Sequence, residues 1–150
     1  MIVWDSLAIC EYLAELFPER YLWAKDVKTR AYTRAICTEM HSGFMTLRSL
    51  CPMNITQDLT DLGQQIFRES AELQVDVKRI EDIWAKRENP HGFLSGDEFT
   101  IVDAFYAPVV MRFKSYGLPV SDSSQHYMNT ILNVAAVQMW MKDALHEVGQ

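Results

Sequence analysis

The chain has 150 residues, 49% of them hydrophobic and 23% charged, which is enough apolar material for one domain with its own core and excludes general disorder. With 20 acidic residues against 14 basic ones, the net charge of -6 excludes a broad phosphate-neutralising surface, and no nucleic-acid partner is expected. No leader-like start or membrane-length apolar run is present and three cysteines occur without a CxxC, so reduced thiols, a cytoplasmic address and no membrane partner are expected.

Helical periodicity dominates, no alternating run marks a strand, and no repeat or linker interrupts the chain. The first helix is predicted over 5–16 and is stopped by Pro18. It opens on Asp5 and Ser6, which are either a plain N-cap or one half of a binding site. Ile9, Leu13 and Leu16 lie on one side of it and Leu7, Cys10, Ala14 and Phe17 on another, so it has two faces to bury. A second helix is predicted over 26–50, from the cap Asp26 to the Cys51-Pro52 step. Ile36, Met40, Leu47 and Cys51 form its core stripe, and Thr33, Cys37, His41, Phe44 and Arg48 form a mixed stripe able to line a pocket. The third, predicted over 61–86, carries Ile66, Leu73, Val77, Ile80 and Trp84 at the spacing of an antiparallel neighbour.

The stretch "RENPHGFLSGDEF" collects Pro90, Gly92 and Gly96 and reads as loop. In "TIVDAFYAPVVMRFKSYG", Thr100 and Asp103 have the spacing of a structural capping box, and the apolar residues beyond them occupy almost every side of a helix. This is the predicted central helix, kinked at Pro108. Two shorter helices, over 121–132 and 133–148, complete an all-α bundle of about six helices, with Gly149 as the final stop. Cys37 and His41 are one turn apart, but two ligands without a third make no metal site, and no metal is expected.

"DSLAICEYLAELFPE" resembles the last helix of the thioredoxin-like domain of cytosolic glutathione S-transferases, and "RAICTEMHSGFMTLRSLCPMN" and "FTIVDAFYAPVVMRFKSYG" resemble that family's all-α C-terminal domain. The likeness is strongest to bacterial members similar to the serine-type zeta class. It implies that residues 1–20 are the remnant of a glutathione-binding domain and residues 21–150 the helical domain. It further implies that Asp5 and Ser6 hold the γ-glutamyl end of glutathione, and that His41, Phe44, Met45, Arg48 and Arg112 are candidates for the pocket of a hydrophobic electrophile. Arg48 and Arg112 would favour an acidic one.

Glutathione transfer needs a thiolate, whereas a free thiol with a pKa near ~8.5 is mostly protonated at neutral pH. The family aims a Ser, Tyr or Cys at the sulfur from the strands and helices that precede this segment. Within residues 1–150 the catalytic set is therefore empty, and glutathione is expected as cosubstrate only where the missing N-terminal part is supplied. Without the family's sheet, the first helix is expected either to associate with a second copy, giving a homo-oligomer, or to shift over its own apolar faces. Two other readings stay open. They are a non-catalytic helical interaction module and a carrier of hydrophobic ligands.

Overall fold

The computed structural model describes residues 1–148, so Gly149 and its predicted helix stop lie outside the described residues. Among the described residues the fold is all-helical: α1 (Ser6–Leu16), a 3-10 turn (Pro18–Arg20), α2 (Val27–Ser42), α3 (Met45–Leu50), α4 (Thr60–Glu69), α5 (Ala71–Trp84), α6 (Ile101–Ser115), α7 (Asp122–Leu132) and α8 (Ala135–Val148). Eight α-helices thus replace the six expected, because two long periodic runs are each broken once.

The first break falls at Gly43-Phe44. Phe44 takes a left-handed conformation (φ 55°), which turns its ring into the core, and α3 starts afresh. Arg48 then closes the open end of α2, donating to the carbonyls of Met40 (2.5 Å), Gly43 (3.0 Å) and His41 (3.4 Å). The second break falls at Ser70, whose extended backbone ends α4 while its hydroxyl accepts from the Leu73 N–H at 3.1 Å and caps α5. Apolar spacing continues across both breaks, so periodicity alone hides them.

The core is built around α6, where Val102, Tyr106, Val109, Val110, Met111 and Phe113 are buried. It packs between α2 and α7, and α5 packs on α3, α4 and α7. Trp84 from α5 meets Phe113 and Tyr127, each with ring centroids 5.1 Å away, and Tyr106 at 6.4 Å. Thr33, Cys37 and Phe44, from the stripe expected to face a pocket, are buried too.

The capping box of α6 is present, and its carboxylate arm extends beyond the helix end. Asp103 accepts from the Thr100 N–H (3.1 Å), the Leu94 N–H (2.9 Å) and the Tyr127 hydroxyl (3.1 Å), so one buried carboxyl group joins α6, the preceding loop and α7. Pro108 lies inside α6 as expected. The loop before α6 is held by the buried Arg87, which donates to the carbonyls of Trp84, Pro90 and Ser123.

α1 is the least integrated helix and contains no buried residue. Leu7, Cys10 and Ala14 pack against the core, while Ile9, Leu13, Leu16 and the adjoining Phe17 remain exposed. No helix among the described residues is long and apolar enough to cross a membrane.

Candidate functional site

α1 starts where it does because Asp5 satisfies its first donors, its Oδ1 accepting from the N–H groups of Leu7 (2.9 Å) and Ala8 (3.2 Å). Asp5 itself sits at φ 78°, a backbone conformation rare for a residue with a side chain. Its other oxygen, Oδ2, lies 2.7 Å from His41 Nε2 in the last turn of α2. The Ala8 N–H, then His41 and the Leu7 N–H, hold the Asp5 carboxyl below the ordinary carboxylate value. Ser6 is exposed at the first position of the helix.

The His41 ring meets Phe105 of α6 edge-on, with centroids 6.1 Å apart. The start of α1, the end of α2 and one side of α6 therefore converge, and the residue that joins them, Phe105, was not among the sequence candidates. Nothing in its local pattern distinguishes it from the other aromatic residues of α6.

The remaining candidates divide. Phe44 belongs to the core, whereas Met45 is 63% exposed beside it. Arg48 spends its Nε and Nη2 on the carbonyls that end α2. Arg112 donates through Nε to the Cys51 carbonyl at 3.1 Å and through Nη1 to that of Pro108 at 3.3 Å. Burial first, and the neighbouring Arg48 second, push Arg112 below the ordinary arginine value. Among the described residues neither guanidinium has a carboxylate partner. Two guanidinium groups that repel one another are thus each held by main-chain carbonyls, with Arg48 Nη1 and Arg112 Nη2 uncommitted among the described residues, an arrangement suited to an anion.

An apolar concavity of about 230 Å³ lies between α6 and α8, lined by Phe99, Ala104, Ala107, Pro108, Ala136, Val137 and Trp140. None of these was a site candidate from the sequence, where Pro108 was read only as a kink. The available signal was the run of small residues at 104, 107 and 108 on an otherwise bulky helix. Two concavities beside Trp23 are larger, about 400 and 410 Å³, but charged side chains with structural duties border them. Arg34 pairs with Glu11 at 2.8 and 2.7 Å, and Arg30 caps the Ala24 and Lys25 carbonyls.

Comparison with known proteins places these features in context. The family described as glutathione S-transferase, C-terminal domain, matches residues 64–143, more than half of the chain. Glutathione S-transferase 1 of Dianthus caryophyllus is 23% identical over 123 residues, covering 81% of this chain and 55% of that protein. A probable maleylacetoacetate isomerase of Caenorhabditis elegans is 28% identical over 121 residues, covering 80% of this chain and 55% of that protein. The chain spans about half the length of these relatives.

Proposed function

Because the chain belongs to the family of glutathione S-transferase C-terminal domains, we propose that it forms the electrophile-binding half of an enzyme that conjugates or isomerises electrophiles with glutathione. Asp5 and Ser6 receive the γ-glutamyl end of glutathione, the carboxylate facing its ammonium and the first-turn N–H groups favouring its carboxylate. The observation that carries the reading is the Asp5 carboxylate: it caps α1 with one oxygen and keeps the other at the junction of α1, α2 and α6. Arg48 and Arg112 bind an acidic group of the electrophile, and Met45 and the apolar notch beside Trp140 take its hydrophobic part. The free thiols of Cys10, Cys37 and Cys51 suit a reducing, cytoplasmic compartment.

Among the described residues, 1–148, no group is assigned to the glutathione sulfur. Burial pushes the Cys51 thiol up to about 11 and raises Cys37 as well, so neither supplies a thiolate at neutral pH. The 150-residue chain is therefore expected to bind glutathione weakly and to show negligible turnover of an aromatic halide. Calorimetry and a conjugation assay test the two statements. Turnover abolished by a substitution within these residues would show that the sulfur-activating group lies among them.

A second reading rests on the notch itself, which carries little polar surface and suits a hydrophobic ligand without any chemistry. A carrier of this kind would bind an apolar probe with an affinity independent of Asp5, Arg48 and Arg112. An interaction module would instead use the open face of α1 and bind neither probe nor glutathione.

A further inference from the structure

Capping α1 does not require His41. Oδ1 of Asp5 alone accepts from both the Leu7 and Ala8 N–H groups, yet Oδ2 is engaged by His41 from a helix 36 residues away. A carboxylate has about four acceptor positions. Three are taken here, and the fourth is left with its direction fixed, because neither oxygen is free to swing.

The need for such fixing follows from how α1 is held. It buries no residue, and its polar ties to α2 are the Arg34–Glu11 pair midway along and the His41–Asp5 contact at its start. Asp5 also occupies an unfavourable backbone conformation, which persists only where surrounding contacts over-determine it. His41 is itself well placed to do this: its ring lies edge-on to Phe105, and the turn that bears it is closed by Arg48.

We propose that His41 is a positioning residue for glutathione, holding Asp5 so that its one uncommitted acceptor site faces the γ-glutamyl ammonium. The assignment rests on the glutathione reading of Asp5 and adds the group that aims it. His41 touches neither the thiol nor the electrophile in this scheme. It contributes to affinity through the amino group alone.

The experiment titrates the isotope-labelled chain with glutathione and with an analogue lacking the γ-glutamyl amino group, following the Leu7 and Ala8 amide resonances. His41→Leu is expected to weaken glutathione about tenfold and leave the analogue unchanged, because the loss is one directed charge-assisted bond. His41→Gln places an amide N–H close to the position of Nε2 and is expected to restore most of the affinity. Equal weakening of both ligands, or no rescue by glutamine, would assign His41 a structural role only and overturn the proposal. Binding of glutathione indifferent to His41 would overturn the proposal and leave the reading of Asp5 standing. Absence of glutathione binding by the unsubstituted chain would overturn both.

Discussion

Asp103 shows how one side chain can serve folding and respond to pH. Burial pushes its carboxyl up to about 6, against the opposing pull of the Leu94 and Thr100 N–H groups and the Tyr127 and Thr100 hydroxyls. In the unfolded chain the same group titrates near its ordinary value of 3.8. Between those values the folded state binds more protons than the unfolded one, so this group's contribution to stability falls as pH rises from about 4 to about 6 and is level above. Asp5, Asp26, Asp58 and Glu39 are shifted the other way and contribute the opposite slope at lower pH. The diagnostic quantity is therefore a difference. Urea midpoints of the parent chain and of Asp103→Asn, measured from pH 4 to 7, are expected to differ by an amount that depends on pH in that window. A constant offset would mean that Asp103 does not titrate there.

At the scale of elements, close approach decides where helices can lie. Gly63 is buried in α4 against the end of α6, and an added Cβ would stand 1.8 Å from the Tyr116 carbonyl oxygen. The approach is tied by the Leu59 N–H, which donates to the Ser115 carbonyl at 2.7 Å. Alanine is the better helix former by about 1 kcal/mol. The overlap is with main chain, however, and cannot be relieved by a rotamer change, so α4 must move as a body. Gly63→Ala is expected to lower stability by about 2 kcal/mol net, on the scale of overpacked cores, as read by chemical denaturation. A stabilised variant would show that α4 stands farther from α6.

For the whole molecule the open question is α1, whose outer side exposes Ile9, Leu13, Leu16 and Phe17, with Trp4 79% exposed just before it. The helix has not shifted to cover both faces. Ile9, Leu13, Leu16 and Phe17 are already about half covered, so full burial of each would add roughly half of the 1.5–3 kcal/mol that a wholly exposed side chain gains, and an apolar patch of this kind recruits a partner. The 150-residue chain is expected to self-associate through this side, and Leu13→Glu combined with Leu16→Glu is expected to shift it toward monomer in sedimentation. A parent chain that stays monomeric at high concentration with α1 in place would defeat this expectation.

Much of the fold was legible because it is set by bonds that close within a few residues. Asp5, Asp26 and the Thr100–Asp103 pair were recognisable as helix starts, since each cap joins groups at most three positions apart. The burial of α6 was equally legible, from apolar residues on nearly every side of one helix. The breaks at Phe44 and Ser70 were not, because apolar periodicity runs through both and only the packing of Phe44 and the cap at Ser70 interrupt it. At the candidate site, residue types suggested Asp5, His41, Arg48 and Arg112 separately. Only the tertiary structure joined Asp5 to His41 across 36 positions and tied Arg112 to the Cys51 carbonyl across 61. The physical reason is that a helical pattern fixes which side chains share a face, whereas the element that meets the face depends on how all the helices pack at once.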